Sequence, residues 1–169
     1  MKTRHLVSLL AGLALSAGFA IRADAAAKKI ENVSVVFQDP DHFTDVQDRF
    51  SSMPSAAFLS ELHDYVQETA SSRLPAGAKL TVTFVDIDLA GIVRPDKDNI
   101  RIMTGTTLPR AHIKFQLVGA DNQVIKEGER RLSDMNYQQT VNLQNRNEPL
   151  GYDKQLLKDW ITKEFKPGS

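Results

Sequence analysis

The sequence contains no cysteine. That absence excludes disulfide crosslinks, thiolate metal sites and thiol redox chemistry, so the folded chain must be held by packing alone. Charge of one sign is not in excess either, since 21 Lys and Arg face 21 Asp and Glu. No nucleic-acid partner is expected, because neutralising phosphates needs a basic excess or stripe. Long apolar runs are missing beyond residue 21, and Gly105 and Gly128 stand alone rather than in a phosphate-cradling loop. There is no Gly-x-Ser-x-Gly elbow to present a nucleophilic serine. His42, His63 and His112 are too scattered for the His-x-x-x-His pair of a zinc helix. Internal repeats are absent as well.

What the chain does have begins with an export signal pattern. Lys2 and Arg4 precede an apolar run over residues 6–21, which closes on Arg22-Ala23-Asp24-Ala25. The small residues Ala23 and Ala25 place cleavage after Ala25, with a cut after Ala20 as the alternative. A permanent anchor would need ~20 apolar residues, and this run is shorter and diluted by Ser8, Gly12, Ser16 and Gly18. Residues 1–25 therefore read as a cleaved signal peptide that leaves no stable membrane anchor. The expected localisation is periplasmic. No cysteine follows the run, which excludes attachment as a lipoprotein. Losing Lys2, Arg4, Arg22 and Asp24 leaves residues 26–169 with a net charge of about −2. Their length suits a single globular domain with a real core.

Val-rich residues 32–37 predict a first strand ending at the turn Gln38-Asp39-Pro40-Asp41. Phe58, Leu59, Leu62, Tyr65, Val66 and Thr69 share one helical face, with Ser52 or Ser55 as the cap and Leu74-Pro75-Ala76-Gly77 as the stop. Residues 79–89 form the next strand, in which Val82 and Phe84 point one way and Thr81, Thr83, Val85, Ile87 and Leu89 the other. After a loop, residues 100–103 suggest a short further strand. Residues 110–118 and 123–132 then alternate on either side of Gly119-Ala120-Asp121-Asn122, which predicts a hairpin covered on one face only. Residues 133–148 read as a long loop or a partly helical connection. The last helix carries Leu156, Leu157, Trp160, Ile161 and Phe165 on one face, with Asp153 as N-cap and Tyr152 folding onto Leu157. The expected fold is α+β: a mostly antiparallel sheet of four to five strands with two helices on one face, in the order β-α-β-(β)-β-β-α.

Six segments taken together carry a family resemblance. They are Val33-Ser34-Val35-Val36-Phe37 with Asp39-Pro40, Pro54-Ser55-Ala56-Ala57-Phe58-Leu59, Asp86-Ile87-Asp88-Leu89-Ala90-Gly91, Pro109-Arg110, Glu127-Gly128-Glu129-Arg130 and Asp159-Trp160. In that order they resemble the domain of unknown function numbered 3016, a family of bacterial proteins with export signals. The string from Asp86 to Gly91 is the most specific piece. The resemblance implies an exported protein and brings no assigned activity.

Asp86 and Asp88 are the leading chemical candidates. Residues two apart on a strand share a face, so the carboxylates are expected side by side, continuing the row of Val82 and Phe84. Such a pair can salt-bridge to Arg110, Arg130 or Arg131, share a proton, or hold calcium or magnesium with further oxygens from the loop after Gly91 or from Asp39 and Asp41. Arg130 and Arg131 are expected to pair across strands on the exposed face. Asp39, Asp41 and Asp45 beside His42 lack the spacing of a helix-loop-helix calcium site. Trp160 belongs to the apolar stripe and reads as core.

Two hypotheses follow. The first is a non-enzymatic binding or accessory domain of the cell envelope, taking an extended segment of an envelope protein partner along an exposed strand edge, either the first strand or the return strand. The second is a divalent-cation-dependent hydrolase built on Asp86 and Asp88. No cofactor is required by the first. Oligomeric state is not encoded in any pattern of the sequence.

Overall fold

The computed structural model describes residues 31–47, 53–98, 100–140, 148 and 150–166. The expected signal peptide and its cut site lie outside the described residues. Among the described residues, six strands and three α-helices run in the order β1 (Val33–Phe37), α1 (Ala56–Ser71), β2 (Lys79–Asp88), β3 (Ile92–Arg94), β4 (Ile100–Ile102), β5 (Arg110–Val118), β6 (Val124–Ser133), α2 (Tyr137–Thr140) and α3 (Gly151–Glu164). The main sheet has the order β1-β2-β5-β6, and β3-β4 make a separate two-stranded ribbon. The fold is thus α+β with a mostly antiparallel sheet, as the patterning implies. One pair departs from that: β1 runs parallel to β2, because α1 carries the chain back across the sheet face between them.

Both long helices cover the same face. Leu62, Val66 and Ala70 of α1, and Leu156, Leu157, Trp160 and Ile161 of α3, are buried against it. Leu80, Val82, Phe84, Ile113 and Phe115 rise from the sheet to meet them. Complete burial of such a side chain contributes roughly 2 kcal/mol each. Ser55 is the cap of α1, its hydroxyl accepting from the Phe58 N–H. Lys154 ties the helices together, its ammonium 2.6 Å from Glu61.

The sheet's second face stays open to solvent and carries Thr81, Thr83, His112, Lys114, Gln116, Glu127 and Glu129. The hairpin β5-β6 follows the predicted alternation, with Ala111, Ile113, Phe115 and Leu117 buried. In β2 the predicted alternation fails halfway. The register with β5 shifts between Phe84 and Asp86, so Val85 is an extra residue and the strand changes phase there. Ile87 and Leu89 consequently join Val82 and Phe84 in the core. Asp86 and Asp88 fall on the opposite face, not in the row that Val82 and Phe84 begin.

Two local expectations at the C-terminal end are also corrected, while the connection after β6 is partly helical, as one of its two readings had it. The N-cap of α3 is Leu150, held at φ 55° in the left-handed region, and Asp153 sits inside the first turn with its side chain buried. Tyr152 meets the ring of Tyr137 edge-on, centroids 4.9 Å apart, instead of stapling onto Leu157. That contact exists because the connection after β6 forms the short helix α2, whose Tyr137 is fully buried and donates its hydroxyl to the Thr104 carbonyl at 2.6 Å.

Candidate functional site

The Asp86–Gly91 string lies where four parts of the chain converge. Asp86 accepts from Thr44 twice, from the backbone N–H at 2.7 Å and from the hydroxyl at 2.8 Å. Asp88 takes Arg110 Nη1 at 2.8 Å. Of the predicted arginine pairings, that one forms for Asp88, while Asp86 is satisfied by Thr44. The backbone on either side is stitched to Asp45, which donates to the Ile87 carbonyl at 2.9 Å and accepts from the Leu89 N–H at 3.0 Å.

Beyond Leu89, the buried Ala90-Gly91 turn is clasped from both sides. The Ala90 N–H donates to Asp153 Oδ1 at 3.0 Å. Arg101 grips Asp45 with two nitrogens, at 2.8 and 2.9 Å, and donates to the carbonyls of Gln47 at 3.0 Å and Gly91 at 3.2 Å. Gly91 has φ +81°, a conformation that L side chains rarely adopt. Sequence reasoning missed Arg101 and the true role of Asp153, since neither has a local partner. Among the described residues, no group of three or more His, Asp or Glu side chains comes together in a way that could hold a metal ion. Asp86 and Asp88 share a face, each committed to a partner, and their arrangement locks the end of β2 in place.

Asp153 is the acid whose environment differs most from water. Burial pushes its carboxyl up to about 7, against the opposing pull of the Ala90 N–H and the Arg101 charge, while Asp45 adds to the rise. An acid raised in the folded state binds its proton more tightly there than in the unfolded chain. Its contribution therefore erodes as pH climbs from about 4 to about 7 and levels off above. Unfolding free energy at about pH 8 is expected to lie about 3 kcal/mol below its value at about pH 5 on account of this group. Asp153→Asn keeps an acceptor for Ala90 and removes the titration, so urea unfolding of the variant should show a flatter profile. An unchanged decline in Asp153→Asn would assign the pH dependence elsewhere.

A second region lies along the sheet's outer margins. Both β1 and β6 are edges, but they differ. The β1 edge is five residues long, and Gln67 of α1 reaches over it to donate to the Val33 carbonyl at 2.8 Å. The β6 edge runs for ten residues. Leu80 and Phe84 bond to β1. The alternation carried through β2 and β5 leaves the N–H and C=O groups of Glu127, Glu129 and Arg131 facing outward. The Glu129 carbonyl accepts one bond there, from Arg130 Nη1 at 2.9 Å.

Charges of both signs mark this margin. On the open face His112 contacts Glu129, holding its carboxyl below the ordinary range, and Gln116 donates to Glu127 at 3.0 Å. Arg130 does not lie on that face as expected. It turns under the sheet, lies 5.2 Å from the centroid of Phe115, and forks onto both oxygens of Glu164 in α3 at 2.9 Å. Lys126 joins it at 2.7 Å. Burial works to raise Glu164, but these two cations outweigh it and hold the carboxyl below the usual range.

Between β6 and α3 runs a groove of about 490 Å³ lined by Arg131, Leu132, Leu156, Asp159, Trp160 and Lys163, among others. Trp160 is 5% exposed, and its indole N–H is buried with no hydrogen-bond partner among the described residues. An orphaned donor of that kind costs about 1–3 kcal/mol. The sequence placed Trp160 in the core correctly but could not show that its polar atom goes unmatched.

Among the described residues, the class these features define is a small α+β domain with one sheet face covered by two helices, the other face uncovered, and a long edge strand bordering a groove. Over residues 31–163 the chain matches the family described as Protein of unknown function (DUF3016), and it belongs to that family. No curated protein and no solved structure matches it.

Proposed function

We propose that this protein is exported to the periplasm and acts there as a non-enzymatic binding or accessory module of the envelope, taking an extended segment of a partner protein by strand addition along β6. The export half of the reading is supported by the signal pattern of residues 1–25. The absence of cysteine fits a domain built to be stable on packing alone in an oxidising compartment. Among the described residues no helix is long and apolar enough to cross a membrane.

The observation that carries the binding half is the outer margin of β6. Outward backbone groups at Glu127, Glu129 and Arg131 run beside a groove lined in part by Leu132, Leu156 and Trp160. Strand addition would pair the backbone groups. The β1 margin is the poorer candidate, because α1 already occupies part of it through Gln67.

Photocrosslinking in intact cells tests this. A photoreactive residue at Glu127 or Arg131 should yield a reproducible adduct with one envelope protein, and the same probe at exposed Glu68 on α1 should not. Glu127→Pro deletes an outward N–H while leaving the β5 ladder intact, so it should abolish the adduct with the fold retained. Adducts equally abundant from Glu68, or untouched by Glu127→Pro, would sink the reading.

A further inference from the structure

The proposed binding edge has a property that follows from reading β6 in both directions. Reversed against itself about Arg130, the strand sets Glu129 opposite Arg131 and Arg131 opposite Glu129. Two strands related by a two-fold axis would be aligned in just this way, since an isologous contact places each residue against its own symmetry mate's partner. We propose that β6 pairs antiparallel with β6 of a second copy of this chain, in the register centred on Arg130, and joins two four-stranded sheets into one of eight strands. The proposal rests on the open β6 edge of the function reading, and it makes the second copy and the envelope segment competing occupants of one margin.

Four observations support this register. Glu129 and Arg131 have outward-facing backbone groups, so opposite one another they form a hydrogen-bonded pair, and the Glu129 carbonyl keeps a second lone pair beside the Arg130 contact. The neighbouring registers are electrostatically worse. Centring on Glu129 sets that glutamate against itself, centring on Gly128 sets Glu127 against Glu129, and centring on Arg131 sets two arginines face to face. On the helix side, Gly128 stands opposite Leu132. A side chain at Gly128 would meet Arg130 Nη1 at 2.8 Å and Phe115 at 3.2 Å, so the bare glycine accommodates Arg130 against that ring and sets no side chain against the facing Leu132. Finally, Ile125 and Met135 are among the most exposed apolar side chains described, at 54% and 79%. Ile125 lies at the start of β6 and Met135 two residues past its end, and this register brings each toward the other at both ends of the contact.

The two Arg130 side chains meet at the axis. Each makes a bidentate contact to its own Glu164, which Lys126 shares, so the central charge is offset in part. An edge-to-edge contact of this size is small, and the dimer is expected to have a dissociation constant in the micromolar range or weaker.

Analytical ultracentrifugation of the purified protein over roughly 10–500 µM tests it. The expected result is a reversible monomer–dimer equilibrium. Arg131→Glu turns both charge pairs repulsive and should weaken self-association about 50-fold, as should Glu129→Arg. An equimolar mixture of the two single variants restores both pairs, so it should dimerise although each alone does not. Circular dichroism confirms that the variants are folded. A protein that stays monomeric throughout, or an Arg131→Glu variant that dimerises as the wild type does, would overturn the proposal. A monomer that still gives an envelope adduct from position 127 would overturn only the dimer. A dimer whose sole crosslink is to itself would overturn only the envelope partner.

Discussion

Replacing Gly91 by alanine is expected to lower the unfolding free energy by about 3 kcal/mol or more, whereas the same change at Gly105 should be close to neutral. At φ +81° any side chain is strained, and a Cβ there would lie 2.6 Å from the Ile102 carbonyl oxygen and 3.0 Å from its carbon. Both are backbone atoms that no rotamer change can move aside. Relief requires β4 to shift, and Arg101, which holds Asp45, Gln47 and Gly91, lies on that strand. Gly105 has no heavy atom within 4 Å of such a Cβ, so it serves as the internal comparison. Urea midpoints of the two variants decide the matter: equal losses would mean that the Ala90-Gly91 turn is not under the constraint described.

The other large effect is expected at Arg101 itself. Its side chain is 16% exposed and its partner Asp45 24%. Arg101→Met retains much of the apolar stem but strips Asp45 of both charged bonds and leaves the Gln47 and Gly91 carbonyls without a donor. Breaking a fully buried pair from one side costs about 3–5 kcal/mol, and partial solvation of Asp45 places this one near the lower end. Adding Asp45→Asn to Arg101→Met should recover part of the loss, because the stranded charge is then gone. Thermal unfolding of the two singles and the double measures that coupling. Strictly additive losses would show that the two groups act independently.

The helices and the hairpin were legible because their signals are local and periodic. Leu62 and Val66 fall at helical spacing, and the residues from Ala111 to Leu117 alternate without interruption. The centre of β2 was harder to read. Leu80, Val82 and Phe84 set one phase and Ile87 and Leu89 the other, with Val85 between them. That phase change is visible in the sequence once apolar residues are required to share a face, and it reassigns Asp86 and Asp88 without any structure.

The clasp was not legible. Asp153 reads as a cap from its place before an apolar stripe, but its partner is Ala90, in a turn made by a different part of the chain. Arg101 sits in the short strand read over residues 100–103, but the carboxylate it holds is 56 residues away. Long-range polar contacts leave no periodic trace. For the binding margin, the two edge-strand candidates could be named from the pattern. The preference proposed for β6 rests on seeing Gln67 bond to the Val33 carbonyl of β1.

The placement of α3 bears on how the chain reaches its native state. Phe115, in the middle of the sheet, finds two of its aromatic neighbours in Trp160 and Phe165, at centroid distances of 5.8 and 5.6 Å. During synthesis or threading from the N-terminus, β1, α1, β2 and the hairpin all emerge before any of α3. Until the final turn of that helix arrives, the apolar row of β5 has no roof, and an incomplete chain is a sticky, half-covered sheet. Productive folding is consequently gated by the last few dozen residues, and C-terminal truncations should behave as aggregation-prone species rather than as smaller versions of the domain.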